Sequence, residues 1–283
     1  MLEKSFLHLP GIGPQTEEKL WGLGLSDWQD LSENLTDVFG AKKAMQLARA
    51  LEESEAALEA GEFEYFRTRL KGSQIWRLLP NYFRQDLNNK IAYLDIETTG
   101  LGFPPESHST TIAILFGGQL YLEHDHQKKL ELLRMIENES RLLVSFNGLC
   151  FDLPFLRREF GLTLRQPHLD LRYWFSDLGL RGGLKKIQKA LPEIHQRVSM
   201  DIDGFDAVKL WRLHKTGVPK ALETLYTYNA EDTIVLEQLI YCGLNMESQR
   251  RTQLKLPNYP LPMAPSIPFE VCPKVYRLIR GGH

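Results

Sequence analysis

The chain of 283 residues contains no run of eighteen apolar residues, which leaves no candidate for a membrane-spanning helix. Its N-terminus, Met-Leu-Glu-Lys-Ser-Phe, lacks the basic and long apolar regions of a secretory signal. The expectation is a cytoplasmic protein with no membrane partner. Cysteine is scarce: Cys150, Cys242 and Cys272 are odd in number, widely spaced and form no Cys-x-x-Cys pair, which excludes a disulfide framework and a zinc knuckle. An excess of one charge is also missing. The net charge of -2 is too small to draw the whole chain toward a polyanion.

What is present is enough apolar content, 43%, to bury one medium domain and a smaller one. Charge is also unevenly distributed. Between residues 157 and 189 eight basic side chains stand against three acids, and from residue 246 onward six basic residues outnumber Glu247 and Glu270. Such runs fit either a solvated helix face or contact with phosphates.

Four regions are expected. Residues 1–60 read as a small all-helical module, with helices over Thr16–Leu23, Trp28–Leu35 and the Ala-rich stretch Ala41–Ala60. An aromatic and basic connector follows over 61–88. Strand signals then run over Ile91–Glu97, Thr111–Phe116 and Gln119–Glu123, the last two joined as a hairpin by Gly117-Gly118. A helix over 127–139, a buried strand over Arg141–Phe146, a helix over 153–160 and a short strand over His168–Leu171 predict a mixed sheet with helical crossovers, an α/β fold. A long helix from Ala221 to about Leu244 closes the domain at 245. Residues 246–283 are basic and punctuated by prolines, the pattern of an extended arm.

Within the apolar stretches of the α/β region sit four acids. Asp95 and Glu97 lie two apart on a strand and so project from one face. Asp152 follows a strand end, where open α/β sheets place ligands. Asp232 falls in the apolar stripe of the long helix, stacked on Tyr228 four residues earlier. Singly, Asp152 reads as a helix cap and Asp232 as an ion-paired helix acid. Together they call for a cation, because an unpaired carboxylate in apolar surroundings costs on the order of several kcal/mol. Hard oxygen ligands suit Mg²⁺ or Mn²⁺. Two such ions about 3.5–4 Å apart suit in-line hydrolysis of a phosphodiester, with Tyr228 orienting the attacking water.

These blocks resemble the DEDD exonuclease superfamily, whose ribonuclease H-like fold carries three motifs in this order. Asp95 and Glu97 correspond to its first motif. Asn147, Phe151, Asp152, Pro154, Phe155 and Leu156 meet the second, and Asp232 is the last acid. Tyr228, four residues before Asp232, matches the Tyr branch. The likeness spans roughly 89–245 and implies that Asp95, Glu97, Asp152 and Asp232 hold two Mg²⁺ or Mn²⁺ ions, with Tyr228 assisting the water, in a 3'-5' exonuclease acting on DNA or RNA. Nucleic-acid contacts are expected from Thr98, Asn147, Phe151, Phe155 and Arg158, the two phenylalanines by stacking on a frayed base.

Phe6-Leu7-His8-Leu9-Pro10-Gly11-Ile12-Gly13-Pro14 is similar to the hairpin of a helix-hairpin-helix module, which implies sequence-independent contact with nucleic acid through Gly11 and Gly13. Residues 1–60 carry five basic residues against eleven acids, so a protein-packing role is the alternative. The combination of module and nuclease domain resembles a group of prokaryotic predicted exonucleases. Two further functions fit the same residues: a structure-specific endonuclease, and a non-catalytic nucleic-acid-binding scaffold.

Overall fold

Two-residue alternation decides where everything else packs. In the computed structural model, which describes residues 2–199 and 202–281, the strands are Ile91–Thr98 (β1), Ser109–Phe116 (β2), Gln119–Glu123 (β3), Leu142–Ser145 (β4) and His168–Asp170 (β5). They form one mixed sheet in the order β3-β2-β1-β4-β5. β1 pairs antiparallel with β2 and parallel with β4, and β4 pairs parallel with β5. The β2–β3 hairpin turns on Gly117 and Gly118, both at positive φ, which is what a two-residue primed turn requires. The α/β expectation therefore holds: a ribonuclease H-like mixed sheet flanked by helices, with a helical N-terminal region.

The helices are Pro14–Gly22 (α1), Trp28–Glu33 (α2), Leu35–Val38 (α3), Ala41–Glu59 (α4), Phe63–Arg67 (α5), Leu79–Arg84 (α6), His126–Glu139 (α7), Asp152–Phe160 (α8), Leu171–Asp177 (α9), Leu184–Ala190 (α10), Gly204–Lys215 (α11), Ala221–Arg250 (α12) and Pro273–Ile279 (α13). The chain divides into two compact units, Met1–Leu87 with Gly243–Tyr259, and Asn88–Cys242 with Pro260–His283.

In the second unit, Ala92, Leu94 and Ile96 point to one side of β1. There they join Ile112, Ile114 and Phe116 of β2 and Leu133, Ile136, Phe155 and Leu156 of α7 and α8 in a single core. Tyr93, Asp95 and Glu97 point the other way. On that side Thr111 of β2 donates to Asn229 of α12 at 2.9 Å. A further cluster gathers Ile202, Leu210, Ala221, Leu225, Tyr228, Val275 and Ile279. α12 is thus buried on every side from Thr224 to Leu236, broader than the single stripe the sequence implies.

Two sequence expectations need correction here. α12 runs to Arg250 instead of stopping near Leu244. Gly243 costs a helix only about 1 kcal/mol, and Asn245 and Ser248 in the extra turns bond the backbone of Tyr259 and Leu256. The C-terminal arm is extended only in part, since α13 buries Val275 and Ile279. Its last two residues, 282 and 283, lie outside the described residues.

In the first unit the hairpin at 5–13 is tied down by Glu17, which accepts from the Phe6 amide at 2.8 Å and the Ser5 hydroxyl at 3.2 Å. The Arg77 guanidinium donates to the same carboxylate at 2.9 and 3.3 Å, and both side chains are 2% exposed. Of the connector expected over 61–88, residues 61–87 belong to this unit, fold largely as helices and supply that arginine. Among the described residues no helix is long and apolar enough to cross a membrane. Glu17→Ala strands the buried Arg77 charge and is expected to cost about 3–5 kcal/mol. The check is a urea unfolding curve of the full chain, where an unchanged midpoint would contradict the pairing.

Candidate active site

The sheet face opposite the α7/α8 core gathers the acids. Carboxylate oxygens of Asp95, Glu97 and Asp232 all lie within 4.8 Å of one another, two from alternate positions of β1 and one from the buried middle of α12. Asp152 begins α8, and its Oδ1 accepts from the Ile96 amide at 3.2 Å. It stands outside the tight trio, yet its charge acts on both Asp95 and Glu97. The four acids therefore share one electrostatic site, with Asp152 at its margin.

Hydrogen bonds between distant segments hold this arrangement. Asn229, one residue past Tyr228 on α12, donates through Nδ2 to Asp95 Oδ2 at 2.6 Å, while its own Oδ1 is fixed by Thr111. Asp170, at the end of β5, accepts from the amides of Asn147 at 2.7 Å and Leu149 at 3.0 Å and also caps α9. That shapes the turn leading to Asp152, in which Asn147 takes a positive φ and Arg172 donates to its carboxamide oxygen at 2.6 Å. Gly148 has to be glycine. A Cβ there would fall 2.1 Å from Ser145 Oγ and 2.8 Å from Ser145 Cβ, closer than packed atoms approach. The signal for Asn229 and Gly148 lies in the same short blocks as the acids, but only contacts between distant segments reveal it.

Two cations face the acids. Arg197 forms an ion pair with Asp232 and is buried. Glu231, fully buried beside Asp232, accepts from the Val198 amide at 2.6 Å, the Ser199 amide at 3.2 Å and the Ser199 hydroxyl, and so draws the loop carrying Arg197 inward. Lys185 of α10 is half-buried, with Nζ 4.9 Å from the centre of the Tyr228 ring. Arg197 has no sequence signature, whereas Lys185 falls within the basic run 157–189 noted from the sequence.

The residues expected to touch nucleic acid divide. Phe155 is a correction: it is fully buried in the core beneath the sheet and cannot stack on a base. Phe151 is partly buried, 5.7 Å from Phe155 between ring centres. Arg158 is exposed with its guanidinium 4.2 Å from the centre of the Phe103 ring. Thr98 is buried, and its hydroxyl donates to the Gly100 carbonyl at 2.7 Å. In the other unit Gly11 has a positive φ and its carbonyl accepts from Lys43 Nζ at 3.3 Å. Gly13 precedes α1 with nothing within 4 Å of where a Cβ would stand.

Burial, then mutual repulsion, pushes the carboxyls of Asp95 and Glu97 well above the ordinary carboxylate range. Burial also raises Asp152, to about 7, against the hydrogen bonds that stabilise its charge. For Asp232 burial raises the value, while Arg197 and Lys185 pull it back. Converging hard oxygens that resist ionising together are the donor set a divalent cation relieves. The residues present fit such an ion.

A group whose folded pKa is raised stabilises the fold below its unfolded pKa and loses that contribution as pH rises through the folded value. For Asp152 the loss runs from about pH 4 to about pH 7. In metal-free buffer the advantage of Asp152→Asn over the wild type is therefore expected to grow between about pH 4 and about pH 7 and then level off, at about 2–4 kcal/mol. Paired thermal melts check this. A difference independent of pH would contradict the raised value.

A comparison with known families matches residues 92–242 to the RNase H superfamily. No curated protein matches the chain.

Proposed function

Since the chain belongs to the RNase H superfamily, whose members point to a nuclease-type activity on nucleic acid, we propose that it is a divalent-metal-dependent 3'-5' exonuclease of the DEDD Tyr branch. The observation that carries this reading is the convergence of Asp95, Glu97 and Asp232 oxygens within 4.8 Å, with Asp152 beside them. In this reading these four residues hold two Mg²⁺ or Mn²⁺ ions. Such ions supply Lewis acidity at the phosphate and lower the pKa of water at neutral pH.

The chain's own groups do the rest. Asn229 keeps Asp95 turned toward the cluster, and the Asp170-braced turn fixes the start of α8 and with it Asp152. Burial first, and then the charges of Asp232 and Glu97, push the Tyr228 phenol far up from its usual value. Tyr228 therefore stays protonated and orients the water through its hydroxyl without removing a proton. The partly buried Phe151 and the exposed Arg158 are the contacts proposed for the substrate end. In the helical module, Gly11 and Gly13 are proposed to approach duplex phosphates, with Lys43 bound to the Gly11 carbonyl.

The test is a gel of end-labelled DNA and RNA, single-stranded and duplex, with Mg²⁺, Mn²⁺ or a chelator. Shortening from the 3' end that needs a metal is expected. Labelled substrates left whole under every condition would end the proposal, and cutting of circular single strands would favour an endonuclease. Asp95→Ala and Asp232→Ala are expected to lower turnover on the order of 10³-fold or more while circular dichroism stays the same. Lys43→Glu should weaken duplex binding and reduce its salt slope by about 1, whereas an unchanged slope would assign the hairpin to packing.

A further inference from the structure

One cation in this site has donors to spare. The side chain of Arg197 is 5% exposed, with Nη2 committed to Asp232 and Nε 3.7 Å from Glu231 Oε2. Nη1 is buried and has no hydrogen-bond partner among the described residues. A guanidinium presents its N–H groups in a rigid planar fork, and a buried donor without an acceptor carries an uncompensated desolvation cost. A simple counter-ion for Asp232 would not call for such an arrangement. Lys185 already acts electrostatically on Asp232 and Glu97. Yet the fold uses a second, fully buried carboxylate, Glu231, to bring the Arg197 loop in. Among the described residues the acceptor for Nη1 is missing, and the donor calls for a further oxygen.

Position indicates which oxygen. The Arg197 guanidinium lies 5.4 Å and Lys185 Nζ 4.9 Å from the centre of the Tyr228 ring, so both cations border the residue that orients water. Metal ions would be held by the carboxylates and are repelled by these cations, whereas a phosphate is attracted by them. The fork of an arginine also matches phosphate geometry. The geometry points to Arg197 as a phosphate-contacting residue, which uses its free Nη1 edge, with Lys185 beside it, to bind a non-bridging oxygen of the substrate. This inference rests on the nuclease reading above and adds to it a substrate-binding residue that belongs to none of the acid motifs.

The experiment compares wild type, Arg197→Ala and Arg197→Lys by three measurements: steady-state cleavage of a labelled oligonucleotide, Mn²⁺ affinity by calorimetry without substrate, and oligonucleotide affinity with Ca²⁺ in place of the catalytic ion. Arg197→Ala is expected to lower kcat by about 10²–10³-fold and oligonucleotide affinity by roughly tenfold, with Mn²⁺ binding no weaker than in wild type. Arg197→Lys should recover part of both losses. Wild-type kcat and oligonucleotide affinity in Arg197→Ala would overturn the proposal. So would a loss that saturating Mn²⁺ restores, because the arginine would then act only by shaping the metal ligands. If Arg197→Ala does not fold, the lysine variant decides: reduced kcat with intact Mn²⁺ affinity supports the contact, and wild-type kcat overturns it. Should the wild type cleave nothing, the nuclease reading fails by itself. The oligonucleotide affinities then judge Arg197, with equal values for wild type and Arg197→Ala counting against it.

Discussion

Repulsion among carboxylates buried on one face of a β-sheet is the constraint that organises this molecule. Asp95, Glu97 and Asp232 bring oxygens within 4.8 Å of one another, and burial prevents water from screening them. Nothing in local propensity favours such a cluster. It persists because each acid is anchored by structure that would be lost if it moved: β1 is paired on both sides, α12 is buried all round from Thr224 to Leu236, and Asn229 ties the two together through Asp95 and Thr111.

The same constraint accounts for the cations. The upward push of burial on the cluster is opposed at Asp232 by Arg197. The loop that carries Arg197 has little regular structure, and Glu231 supplies bonds that hold it. Adjacent acids on α12 thus divide the work. Glu231 organises the loop and Asp232 faces the cluster, because successive helix residues point about 100° apart.

The helical unit follows a different logic. A buried carboxylate there is fully partnered: Glu17 meets the Arg77 guanidinium, a backbone amide and a hydroxyl, which leaves no unused oxygen to attract a metal. Burial of an acid therefore does not by itself mark a functional site. What separates Glu17 from Asp95 is whether its charge is already neutralised within the chain.

Local pattern in the amino-acid order determined much of this protein. Alternation over Ile91–Thr98 placed Asp95 and Glu97 on one face, Gly117-Gly118 specified the hairpin, and Tyr228 and Asp232 shared a helix face, because side-chain periodicity is a property of the backbone and needs no partner. Tertiary structure decided the remainder. The burial of Phe155, the extension of α12 to Arg250, the inward pull of Arg197 by Glu231, and the need for glycine at 148 against Ser145 each depend on which distant segments pack together. Such contacts leave no period in a linear sequence, because their energy comes from desolvation and close packing between residues far apart along the chain.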